Sequence, residues 1–239
     1  MNADGEDILA SLNAVAAERQ RRRADTTLAA RVVTMKAFQH ARFAHTYADL
    51  LASGRYRDAA EFFLDDLYGP RDFTLRDAQF ARIVPGLVRM FPKEIVATVK
   101  ALGQLHALSE RFDTEMAVVD GDTPLDGAAY GRAWRAVGQP PERERQIALM
   151  LQVGQALDRY VRNPLLRHSL RIMRGPAAAA GLGALQAFLE RGFDTFREMR
   201  GAEEFLRTVA TRERALAARL FAGEDAPTPA GFPRTSPEP

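Results

Sequence analysis

Four histidines and no cysteine limit the side-chain chemistry available to this chain, and His106 is the histidine with the most informative surroundings. Ile95, Val99 and Leu102 precede it by eleven, seven and four residues, so on a helix all four side chains share one inward stripe. Glu110 follows one turn later, close enough to orient or charge the ring. An imidazole on an apolar wall could ligate haem iron or move a proton. It could equally be a packed histidine bonded to a carbonyl or to Glu110. His40 occupies a second apolar seam with Tyr47 two turns on, and could join His106 across a core. His45, beside Arg42 and Asp49, and His168, among Arg167, Ser169 and Arg171, read as surface residues.

The carboxylates invite a di-metal reading. Helical di-iron sites draw Glu from several helices and Glu-x-x-His from two of them. Glu61, Asp65, Asp66 and Glu110 could supply oxygens, but no Glu-x-x-His occurs, so no metal ligand is assigned. Asp120-Gly121-Asp122-Thr123-Pro124 lacks the later glycine and terminal glutamate of a calcium loop. Gly-x-Ser-x-Gly, a P-loop and a dinucleotide fingerprint are absent, and no catalytic residue is assigned. Asp65, Asp66, Arg71, Asp72, Arg76 and Asp77 crowd the Tyr68-Gly69-Pro70 turn. They read either as a salt-bridged corner or as a partner surface with Tyr68 as anchor and Asp66, Arg71 and Asp72 around it. Arg19, Arg21, Arg22 and Arg23 could meet phosphates, but without interleaved aromatics they read as a solvated helix end.

The elements that must position these groups are helical, because apolar residues recur every three or four positions and strand alternation is missing. A first helix spans Asp7–Arg23. A second is expected from Thr26 to Ala52, with a seam through Val33, Ala37, His40, Ala44, Tyr47 and Leu51. A third covers Arg55–Tyr68 and stops at Gly69-Pro70. Thr74 and Asp77 have the spacing of a capping box, and Pro85 predicts a kink or break in the helix that follows. Phe91-Pro92 opens a helix to about Val119, Asp126 caps a short one, and Pro140-Pro141 opens another. Pro164 and Gly175-Pro176 divide the next region, where Gly181 and Gly183 suggest close backbone approach. The last helix covers about Ala202–Phe221. The expectation is an all-α, irregular multi-helix bundle of eight to ten helices. It divides into an N-terminal helix with a basic end (1–24), one all-α domain (25–222) and a disordered Pro-rich tail (223–239).

Composition sets the outer bounds. At 239 residues, with 46% hydrophobic and 27% charged residues, the chain can bury a substantial core. Arg outnumbers Lys 30 to 3, yet the net charge is only +2, so no overall field draws it to nucleic acid or membrane. The absence of cysteine excludes disulfides, thiol nucleophiles and thiolate metal sites. No signal-peptide pattern and no apolar run of membrane length is present, and a cytoplasmic location is expected.

Phe62–Pro85, FFLDDLYGPRDFTLRDAQFARIVP, resembles an FFLxDLYGPxDFxxRD signature of a family of uncharacterised bacterial all-helical proteins. The later stretches RNPLLRHSLRIMRGP and GLGALQAFLERGFDTFREM are similar to the same family. The resemblance spans about Phe38 to Phe221 and implies an all-helical fold; it carries no activity and no site residues. Leu102-x-x-x-His106 is also similar to the proximal-histidine helix of globins, which implies a fold globin-like in part and haem as a cofactor. The leading expectation is a non-enzymatic interaction or regulatory module acting on a protein partner or on itself. A haem protein using His106 (with His40 as a second candidate), and then a di-metal carboxylate oxidase, are the alternatives.

Overall fold

The computed structural model describes residues 2–67, 69, 72–121 and 124–233. These form twelve α-helices and one π-helical turn, with no strand among the described residues. The helices are α1 Ala3–Arg23, α2 Thr26–Thr46, α3 Ala48–Ala52, α4 Arg57–Phe62, α5 Thr74–Met90, α6 Lys93–Asp120, α7 Gly127–Val137, α8 Pro140–Tyr160, α9 Pro164–Ile172, α10 Arg174–Ala179, α11 Gly183–Glu198 and α12 Glu203–Phe221; the π turn is Phe63–Leu67.

Local chemistry sets several of these ends. Side-chain oxygens of Asn2, Asp25, Asp126 and Asn163 accept from backbone amides of the first helical turn at 2.8–3.0 Å. Pro140 and Pro141 open α8, where their missing amide or fixed φ costs nothing. Gly138 closes α7 with φ 65°.

At 28 residues α6 is the longest helix and the axis of the packing, with α1, α2, α5, α7 and α8 against it. α1 approaches it closely at Gly103, where a β-carbon would lie 3.4 Å from Ser11 Cβ. The largest core cluster joins Tyr47, Phe62, Phe63, Leu105, Phe112, Phe196 and Phe205. A second unites Met35, Phe38, Met116, Tyr130, Leu220 and Ala226, and a third sets Ile8 and Leu12 of α1 on Val84 and Leu87 of α5.

Several expectations change. The helix expected over 26–52 breaks at Tyr47, whose backbone leaves helical geometry (φ −115°, ψ 26°) as its buried hydroxyl donates to Glu213 Oε1 at 2.7 Å. The seam traced through Val33 lies one face off, since Val33 is exposed while Leu28, Val32, Met35, Phe38, Arg42 and Phe43 are buried. Arg42 therefore does not share His45's solvent-facing position. The helix expected to Tyr68 becomes a π turn after Phe62, and Tyr68 lies outside the described residues. Pro85 does not break α5: it sits on the exposed side, where water can take the carbonyl it leaves unpaired. Gly181 takes a left-handed turn (φ 68°) after α10 and Gly183 faces open space, so neither permits a close helix contact.

The N-terminal helix is not a separate unit but one wall of the core. The tail expected to be disordered is placed through Pro233. Ala226 N donates to Gly127 O at 3.1 Å, Thr228 Oγ1 accepts from Gly127 N at 2.9 Å, and Phe232 meets Phe38 edge-on at 5.0 Å. Ala226, Thr228 and Phe232 thus tie down a segment whose proline content argued otherwise; residues 234–239 lie outside the described set.

Phe205 is fully buried against Phe63 and Tyr56. Phe205→Ala is expected to lower unfolding free energy by about 3–5 kcal/mol, through lost burial plus the cavity left behind. Urea denaturation of the two proteins measures it.

Candidate functional site

His106, Glu110, Asp113 and Thr114 fall at i, i+4, i+7 and i+8 on α6 and form one polar stripe. Three other helices bring charges to it. α1 contributes Arg19 and Arg22, one turn apart; α2 contributes Lys36; α5 contributes Arg76 and Asp77.

At one end His106 Nε2 lies 2.8 Å from Asp77 Oδ2. Arg19 Nη2 donates to the same oxygen at 2.8 Å, and Arg76 Nε to Asp77 Oδ1 at 3.1 Å. Burial alone would raise the Asp77 carboxyl, but His106, Arg76 and Arg19 overcome it and hold the group well below the usual carboxylate range. An ionised carboxylate only accepts, so Nε2 carries the proton of this bond. The 3.3 Å contact of Nε2 with Arg19 Nη2 is then two donors converging on one acceptor.

At the other end Glu110 Oε1 accepts from Lys36 Nζ at 2.7 Å and Oε2 from Arg22 Nη1 at 2.5 Å. Arg22 also donates from Nη2 to Glu110 O and from Nε to Thr114 Oγ1. Burial pushes the Glu110 carboxyl up; Lys36 and Arg22 outweigh it and bring it down to about 2. Arg19, 3.7 Å from Glu110 Oε1, links the two ends. Asp113 sits 3.6 Å from Lys36, and burial raises its carboxyl against that cation.

An apolar cavity of about 100 Å³ abuts the His106 end, walled by Phe80, Ile83, Val99, Leu102 and Phe188. Ser109 lines it too, but its hydroxyl donates to Leu105 O and accepts from Gln146 Nε2. Among the described residues no nucleophile is paired with the imidazole, so the arrangement shows an orienting acid and a ring without a third member of a catalytic set.

The residues singled out from sequence separate. His106 is inward, as its stripe predicts, but its partner is Asp77 rather than Glu110, which turns to Arg22 and Lys36. His40, about one-third exposed, faces Asp65 Oδ1 at 3.3 Å, and no hydrogen bond joins the two histidines. Nε2 of His106 is engaged with Asp77 and would have to leave that carboxylate to ligate a haem iron. Among the described residues no group of three or more His, Asp or Glu could hold a metal ion, so the di-metal oxidase reading lacks a ligand set.

Asp66 is paired with Arg191 at 2.7 Å, and Asp72 accepts from Thr74 N at 2.8 Å as a local cap. Tyr68 and Arg71 lie outside the described residues. Thr74 and Asp77 do not form the expected capping box, since Asp72 caps α5 and Asp77 turns inward. Arg19 and Arg22 likewise face the core rather than solvent or phosphate.

A family model matches residues 18–227, which takes in the last turns of α1 with Arg19 and Arg22 and all of α2, α5 and α6. The chain belongs to the family described as Domain of unknown function (DUF8198). No curated protein and no solved structure matches it. The match begins at Glu18, immediately before Arg19 and Arg22, and ends at Pro227, just past the buried Ala226.

Glu110→Gln would strip Arg22 of its counter-charge and leave Lys36 with Asp113 alone, 3.6 Å away, and is expected to destabilise by about 3–5 kcal/mol at neutral pH. Because the folded carboxyl titrates below its ordinary 4.5, the stability it contributes is full above that pH and disappears as pH falls through about 2. Denaturation curves of variant and wild type across the acid range should therefore converge; a pH-independent gap would show that the carboxylate charge is irrelevant.

Proposed function

We propose that the protein is a non-enzymatic helical module that works by docking a partner on the α9–α10 face. The observation behind this reading is that α9 contains no buried residue although it is strongly two-sided. Its inner side is tied to α11 by Arg167 with Asp194 at 3.8 Å and, just past its end, Arg174 with Glu190 at 2.5 Å. Its outer side offers Leu165 and Ile172, seven residues apart, and Met173 beside them; they are 72%, 60% and 49% exposed. Large apolar groups repeated at helical spacing and turned to solvent are the usual mark of an interface.

Charge narrows the partner. Residues 159–176 contain five arginines, one histidine and no acid; Arg162, Arg167 and Arg174 pair with Asp158, Asp194 and Glu190, while Arg159 and Arg171 make no ion pair among the described residues. A protein partner that lays an apolar helix face with acidic flanks over Leu165 and Ile172 matches this surface. The Tyr68 corner is a poorer candidate because the described charges around it, Asp66 and Asp72, already have partners within the chain.

The double variant Leu165→Glu, Ile172→Glu alters only exposed positions, so thermal stability should stay near wild type. Wild-type protein is expected to retain a partner, or its own copy, in low-salt co-purification, with retention weakened by salt. The double variant should lose it. Equal retention by both proteins would exclude this face.

A further inference from the structure

We infer that the cavity among α2, α6, α7, α8 and α12 is a binding site for a small organic carboxylate, with the Arg143 guanidinium as its anchor. Arg143 is 4% exposed, yet among the described residues it forms no ion pair. Its guanidinium makes one hydrogen bond, from Nη2 to Met116 Sδ at 3.3 Å, and its Nε has no partner. The charged group is clamped between the rings of Phe112 and Trp134, each centroid 3.7 Å from Cζ. Burial brings its pKa down to about 10, against small opposing pulls from Tyr130 and Asp113, so it remains a cation at neutral pH. Ring faces hold a guanidinium flat but cannot replace the anion it lacks.

This isolation is unusual in this molecule. Arg22 and Arg42, equally buried, have carboxylates: Glu110 for the first and both oxygens of Glu213, at 3.1 and 3.2 Å, for the second. Two more unpartnered donors, Arg42 Nε and Trp134 Nε1, belong to residues around the same cavity. Unpartnered arginine donors occur elsewhere too (Arg111, Arg167 and Arg197 Nε), but three beside one cavity describe a site for an acceptor that arrives from outside.

The space sets the ligand's size and character. The cavity holds about 80 Å³. At roughly 10–15 Å³ for each water-sized occupant, that admits about five to eight non-hydrogen atoms. Ile147, Met150 and Phe43 line it together with the polar groups, so an oxyanion carrying a short apolar body fits better than inorganic phosphate. Two carboxylates line the cavity; Glu213 is held by Arg42 Nη1 and Nη2, which leaves Asp113 as the competing charge. It lines the cavity and lies 3.6 Å from Lys36, and burial raises its carboxyl. A ligand carboxylate would share the space with it, and removing that negative charge should favour binding.

The chain reports on this cavity by itself, because Trp134 is its one tryptophan. Intrinsic fluorescence of the full chain is titrated with butanoate and hexanoate, with the corresponding amides as neutral controls. The expected result is a saturable change with a carboxylate and none with its amide. R143M keeps the stem's packing while removing the charge; it should bind at least about tenfold more weakly, with its helical circular dichroism retained. D113N should bind more tightly than wild type, which keeps the test informative if R143M does not fold. Amides that respond like carboxylates, R143M that binds like wild type, D113N that binds more weakly, or no response to either acid would each overturn the assignment.

Discussion

The structure depends on one constraint: Glu110 is buried with two cations on it, so α1 and α2 must both reach α6 at the same level. Removing these charges from water costs several kcal/mol per ion, and attraction compensates only where geometry is close and the remaining donors are satisfied. Here they are satisfied, since Arg22 is spent on Glu110 and Thr114, and Lys36 on Glu110 with Asp113 nearby. Apolar contacts tolerate a slip of one helix past another. A guanidinium that must reach a carboxylate, a carbonyl and a hydroxyl together does not. The network thus fixes the register of four helices that the surrounding Leu and Val contacts would leave loosely specified.

That constraint also divides α6 along its length. The His106 end opens on an apolar cavity whose polar wall is internally paired. The Asp113 end opens on a cavity whose cation is not. Ser109 touches both and is already bonded to Leu105 O and Gln146, so no proton path through it connects imidazole to guanidinium. A histidine with an aspartate partner attracts attention as machinery, but its Nε2 faces an ion cluster whose requirements are met. The unmet requirement lies two turns further on, at a residue type rarely considered first.

Much of the fold was legible in the residues, and the reasons for what was not are specific. Proline and glycine punctuation located α7 and α8 almost to the residue, because those signals act within a few positions. Inward placement of His106 followed from three apolar residues at helical spacing. Asp77 was misread because its spacing from Thr74 suits a cap; only Asp72, which takes that role, frees it to turn inward. Arg19 and Arg22 looked solvated since a run of arginines gives no periodicity of its own, and their targets lie 58 and 88 residues away. The stripe Glu110–Asp113–Thr114 on an otherwise apolar helix was the available signal. Lys36 and Arg143 carried none, for each sits at a helical position where a solvated cation is the ordinary expectation.

The same contrast separates two kinds of polar burial. Ion pairs within the network are reciprocal: remove either partner and the other is stranded, so they explain stability and register without any ligand. Arg143 has no counterpart to strand. Its clamp between Phe112 and Trp134 preorganises the charge and excludes water while leaving it uncompensated. A methionine would fill that slot without the cost of desolvation, which makes the guanidinium a liability to folding alone. Residues that fold a protein are expected to lower its energy in isolation. One that raises it, held rigidly beside an internal space, is accounted for when the energy is recovered on binding.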